Sequence, residues 1–181
     1  MPQGLLFSFT VGLITASLLT PLVSKVAVGL GKVSLPNPSM DGHIRATPYL
    51  GGFAIFCAAF PFILHLQNSL WTAGVVLMTL VGLVDDLAVL SPSRKLLGQV
   101  AASGIVVWGG VRLEVSGLVP LDVGLTVIWM LWVVNAFNVT DMMDGLAAGV
   151  GGIASLGFAL ALVWVGSRES SVIAAALSGG L

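Results

Sequence analysis

From Gly4 to Ser24 the chain carries no charged side chain, a stretch long enough to cross the ~30 Å hydrocarbon core of a bilayer as one helix. Hydrocarbon offers the backbone no water, so every N–H and C=O must be satisfied inside the segment, which leaves helices or a closed barrel. Further apolar stretches follow. At about 17 to 25 residues per spanning helix, they predict helices near residues 4–30, 48–66, 70–85, 95–110, 123–140 and 145–166. A seventh begins near Ser171, but its roughly eleven residues reach only about 16 Å at 1.5 Å each. The expected fold is an all-α, polytopic transmembrane helix bundle of about six full spans plus a truncated seventh. With no repeat, low-complexity segment or soluble linker in view, it reads as a single integral-membrane domain over residues 1–181.

Composition agrees. Apolar residues make up 57% of the chain and charged residues 8%, against about 25% charged in an ordinary soluble domain. A net charge of −1 from so few groups provides no basic surface for a nucleic acid. The single cysteine, Cys57, excludes an internal disulfide and packs as a small apolar residue. Lysines follow the first apolar stretch rather than precede it, so it reads as a retained helix and not a cleaved signal. Pro21 and Pro61 read as kinks, and His65 as a solvated histidine. "VRLEVSGLVPLDVG", Val111 to Gly124, has the alternation of a small hairpin at the membrane surface.

The few charges are unevenly distributed. Successive helices return the chain to opposite faces, and the face reached after the first helix receives Lys25, Lys32, Arg45, Arg94 and Lys95, the other only Arg112 and Arg168. Excess Lys and Arg mark the cytoplasmic side, which puts the amino terminus outside. The same face collects three polar clusters: "MDGHIRATPYLGG" (Met40 to Gly52), Asp85 and Asp86 with "SPSRKLLGQ", and "NAFNVTDMMDGLAAG" (Asn135 to Gly149).

Each cluster carries chemistry. Asp85 and Asp86 adjoin the end of an apolar run, where a helix carboxy terminus disfavours negative charge, so a hard divalent cation or the nearby Lys95 must compensate them. Lys95, at a helix start, is equally ill-placed for the dipole and calls for an anionic partner. Asn135, Asn138, Asp141 and Asp144 recur every three residues, a stripe suited to a hydrogen-bonding wall for a nucleotide base, hydroxyls or a metal. In the first cluster His43, Arg45 and Thr47 precede two glycines whose backbone amides can approach a phosphate. The bland alternatives are solvated boundary residues, helix caps and an Asp144–Gly145 turn. Carboxylates suited to magnesium beside cations suited to phosphates form the pairing that phosphoryl transfer needs.

"HIRATPYLGG", "VGLVDDLAVLSPSRKLLGQ" and "NAFNVTDMMDGLAAG", in that order, resemble the motifs of the polyprenyl-phosphate N-acetylhexosamine-1-phosphate transferases, glycosyltransferase family 4. The resemblance implies a magnesium-dependent enzyme, with manganese as an alternative cation, in the inner (plasma) membrane with a cytoplasmic active face. Its substrates would be polyprenyl (undecaprenyl) phosphate and a UDP-N-acetylhexosamine, its products a lipid-linked pyrophosphoryl sugar and UMP for cell-envelope glycan synthesis. Asp85, Asp86 and Lys95 would be catalytic, with Asp85 and Asp86 near the metal. His43, Thr47, Asn138, Asp141 and Asp144 would bind substrate. The lipid bilayer and a second copy of the chain, as a homodimer, complete the expected partners.

Departures from the pattern stand beside the match. Met40 and Asp41 occupy positions where the family usually has an Arg-Lys pair, and Met142 stands where glycine is usual. A later Gly-Asp-x-Gly-Ser motif and a sugar-selecting loop are not found in these residues, so the chain is expected to be the amino-terminal part of a longer transferase. A non-catalytic membrane module binding polyprenyl phosphate or nucleotide sugar, or one half of a split transferase, is the alternative. A transporter explains the crowding of polar groups onto one face poorly.

Overall fold

The computed structural model describes residues 2–34, 47–141 and 145–181. Among them run seven helices, α1 (Pro2–Gly29), α2 (Gly51–Leu64), α3 (Ser69–Ala88), α4 (Pro92–Trp108), α5 (Val119–Thr140), α6 (Leu146–Val165) and α7 (Arg168–Gly180). Two strands of two residues each, β1 (Val33–Ser34) and β2 (Thr47–Pro48), fall between α1 and α2 and pair antiparallel. Helices α1, α3, α5 and α6 are long and apolar enough to cross a membrane. The 14 residues of α2 and 17 of α4 reach about 21 and 26 Å. The all-α, multi-pass membrane architecture holds, with four full-length helices and two short ones where six full spans were expected.

Burial follows lipid rather than water. Trp164, Trp108 and Trp132 are 93%, 84% and 70% exposed, while Ser8, Gln99, Ser103, Asp122, Thr126 and Ser171 are buried. Apolar side chains can face hydrocarbon at no cost, whereas polar groups there must find partners inside the protein. Cys57 is free and half-buried on α2, and exposed His65 caps the carboxy end of that helix.

Two local expectations change. Helix α2 starts at Gly51 rather than near residue 48, because Thr47 and Pro48 pair with Ser34 and Val33 and Leu50 turns the chain at φ 74°. The surface hairpin over 111–124 is absent: 111–118 is irregular and α5 begins at Val119. Side chains close that loop in place of a strand ladder. Asp122 accepts from the Ser116 N–H at 2.8 Å and hydroxyl at 2.7 Å, and the Thr126 hydroxyl accepts from the Leu113 N–H at 2.9 Å.

The Cα positions fall into two compact units, Met1–Gln67 with Thr140–Leu181, and Asn68–Val139. In the first, α7 packs on α1, α2 and α6. A Cβ added at Gly12 would collide with the Ala176 carbonyl oxygen, and one at Gly179 with that of Phe9, so α1 and α7 meet backbone to backbone through small residues. In the second unit α3 lies on α4 in a similar way, Gly74 facing Ala102 and Val106, and Gly98 facing Val81. Asn68 caps α3 by accepting from the Trp71 N–H at 3.1 Å, and both side chains donate to the Gly109 carbonyl just past α4 at 3.1 Å.

Candidate functional site

Helix α3 ends in the aspartate pair, and the chain reverses through Val89 to Ser91 into α4, whose first position is Pro92. Val89 takes the left-handed conformation, φ 49° and ψ 85°, which a β-branched residue adopts only under strain. The turn carries the Leu90 N–H onto Asp85 Oδ1 at 2.9 Å. From the first turn of α4, Lys95 Nζ reaches back to Asp85 Oδ2 at 2.7 Å and across to Asn138 Oδ1 on α5 at 3.2 Å. Both oxygens of Asp85 are engaged, and one ammonium joins three helices.

This resolves the dipole problem posed by the sequence. A carboxylate at the end of α3 and an ammonium at the start of α4 are each unfavourable alone, and the ion pair between them cancels both. Lys95 and Asp85 side chains are 20% and 22% exposed, so the pair is partly screened from solvent and attracts more strongly than a surface pair. The anionic partner that Lys95 required is, within this unit, Asp85.

One turn further along α4 lies a contact that sequence reasoning did not single out. Gln99 is buried, and its Oε1 accepts from Asn135 Nδ2 at 3.0 Å; the same amide nitrogen donates to the Leu131 carbonyl at 2.8 Å. The available signal was spacing, since Gln99 follows Lys95 by four residues and Asn135 precedes Asn138 by three, which puts each pair on one helix face.

The other expected site residues are distributed as follows. Asp86 is half-buried beside Asp85 on α3, and Asn138 is exposed near the end of α5. Helix α5 stops at Thr140, so Asn135 and Asn138 lie on it while Asp141 is an exposed turn residue of the first unit. Thr47, half-buried in β2, also belongs to the first unit. His43 and Asp144 lie outside the described residues, as does Arg45. The structure therefore brings Asp85, Lys95 and Asn138 together directly.

For a metal, the described residues contain no group of three or more His, Cys, Asp or Glu side chains. Asp85 holds a lysine and a backbone amide, and Asp86 is the second carboxylate of the pair. Magnesium commonly binds through one or two carboxylates with substrate phosphates and water completing its shell. The donor set fits a cation shared with a phosphate and does not fit a cage built by protein alone. Chemically, the cluster offers a lysine ammonium held between a carboxylate and an amide, next to a further acid, at the same end of three helices.

Residues 68–181 match the family model described as glycosyl transferase family 4. The chain is 30% identical over 158 residues to a probable undecaprenyl-phosphate N-acetylglucosaminyl 1-phosphate transferase of Bacillus subtilis, covering 79% of this chain and 44% of the relative. It is 32% identical over 162 residues to a decaprenyl-phosphate N-acetylglucosaminephosphotransferase of Mycolicibacterium smegmatis, covering 76% and 40%. A phospho-N-acetylmuramoyl-pentapeptide-transferase of Desulforudis audaxviator is 30% identical over 215 residues, covering 96% and 64%. The chain thus spans about half the length of the curated relatives it matches.

Proposed function

The chain belongs to glycosyl transferase family 4, and on that premise we propose that it forms part of a membrane enzyme moving an N-acetylhexosamine 1-phosphate from a UDP-sugar to polyprenyl phosphate. An oxygen of the lipid phosphate attacks the β-phosphorus of the UDP-sugar, a new P–O bond forms, and the bond to the bridging oxygen breaks. UMP leaves with the electron pair. The observation that carries this reading is the Lys95 ammonium, held 2.7 Å from Asp85 and 3.2 Å from Asn138. Reactions of this kind depend on positioning and on neutralising phosphate charge.

In the proposed division of labour, Lys95 contacts a phosphate, Asp85 orients Lys95, and Asn138 limits its swing. Asp86 would hold magnesium, or manganese, which when bound supplies charge neutralisation at the phosphate oxygens. Asn138, exposed at the end of α5, would border the nucleotide. Within the second unit Arg94 and Lys95 stand in the first turn of α4 beside the cluster, against Arg112 alone past the other end of that helix, which supports a cytoplasmic active face in the plasma membrane. Relatives named for undecaprenyl and decaprenyl phosphate support a long polyprenyl acceptor.

The test is isotope exchange in membranes carrying the complete protein. Labelled UMP should enter UDP-N-acetylhexosamine only when polyprenyl phosphate and magnesium are both supplied. Exchange that proceeds without the lipid phosphate, or survives chelation of divalent cations, sinks the reading.

A further inference from the structure

Gln99 is a large amide at 2% exposure in the middle of α4, where Ala102, Ser103 and Val106 are also buried. A buried amide needs a partner, and Gln99 takes one from the facing helix, Asn135 Nδ2 at 3.0 Å. The two contacts between α4 and α5 stack as rungs: Lys95 to Asn138 outside, Gln99 to Asn135 one turn further in. They differ in character. The outer rung joins a long, flexible lysine to an exposed asparagine, and by itself places the ammonium poorly. The inner rung joins a fully buried amide to a second amide that is also tied to its own helix at Leu131, and fixing helix register is the best-attested use of a buried polar contact. A slip of one residue moves a helix by about 1.5 Å and turns its side chains by about 100°, enough to break the outer contact. We propose that Gln99 is a positioning residue: through Asn135 it sets the register of α4 on α5 and so holds the Lys95 ammonium between Asp85 and Asn138.

The proposal rests on the reading of Lys95 as the phosphate contact, and its test separates the two. In membranes carrying the complete protein, acetic anhydride labels lysines, and mass spectrometry reads Lys95 against exposed Lys25 as internal reference. Gln99→Met removes the acceptor and Asn135→Leu, on the other helix, removes the donor. Each should raise the Lys95 to Lys25 ratio about fivefold, the factor one ordinary hydrogen bond is worth, and the double variant should rise no further than either single. Loss of fold would free Lys95 too while Lys25 is exposed already, and it is told apart by thermal unfolding in detergent, which the proposal requires to stay cooperative in each variant. Where exchange activity is present, Gln99→Met should raise KM about fivefold for one substrate, the one whose phosphate Lys95 contacts, with KM for the other unchanged. A purely structural role would lower the amount of active protein and move neither KM. A Lys95 ratio that stays at the wild-type value in either single variant overturns the proposal. A shifted ratio in protein without any exchange upholds the positioning and overturns the proposed function.

Discussion

Two helix contacts in this chain are built on opposite principles. Where α1 meets α7, Gly12 and Gly179 bring backbone against backbone, and the contact is made of shape alone. Where α4 faces α5, the contact is made by side chains that reach: Lys95 to Asn138 and Gln99 to Asn135. In hydrocarbon there is no hydrophobic drive between helices, so close packing and polar links are the two available means of association. Close packing costs nothing in specificity and holds a unit together. Polar side chains within the membrane are expensive, and their use at α4 and α5 points to a task beyond cohesion.

The sharpest break between the two would come from Lys95→Met. It should lower exchange activity per folded protein roughly 100- to 1000-fold, the range for loss of one charge-stabilising donor, while stability falls only by about 1 kcal/mol for the partly exposed ion pair; a large fall in melting temperature with activity per folded protein intact would reverse the assignment of roles. Gly12→Val tests the other side. The added side chain meets the Ala176 carbonyl and should destabilise by at least about 1–3 kcal/mol, read as a lower melting temperature, with exchange per folded molecule unchanged. The smallest effect is expected from Val89→Gly, which relieves the left-handed strain at the α3–α4 turn and should change stability by about 1 kcal/mol or less. If its exchange rate also rises or falls more than about threefold, the strain itself takes part in setting Asp85.

How much of this could be read from residues alone depends on the range over which the cause acts. Helix positions were legible because each apolar run must satisfy its own backbone, and α1, α3 and α6 begin and end within a few residues of their expected places. The Asp85 to Lys95 pair was legible as a need for compensation on both sides, although the Val89 turn that joins them was not. Gln99 was passed over because one amide in "LLGQVAASG" carries no local sign of a partner thirty-six residues away. The 111–124 hairpin was wrong for a related reason: Asp122 and Thr126 satisfy the loop through side chains, and alternation along a strand cannot distinguish that from a ladder. Asn135, Asn138 and Asp141 read as one helical stripe because spacing does not say that α5 stops at Thr140.

Helix α5 has its interior and exterior exchanged: its buried residues are Asp122 and Thr126, while Ile128, Trp129 and Trp132 are exposed. Selection on such a helix would act on a handful of hydrophilic positions near its ends, and the greasy midsection would be free to drift among residues of similar character. Comparing this segment across species should therefore show the reverse of the pattern familiar from water-soluble proteins, with the oily residues variable and the hydrophilic ones held constant.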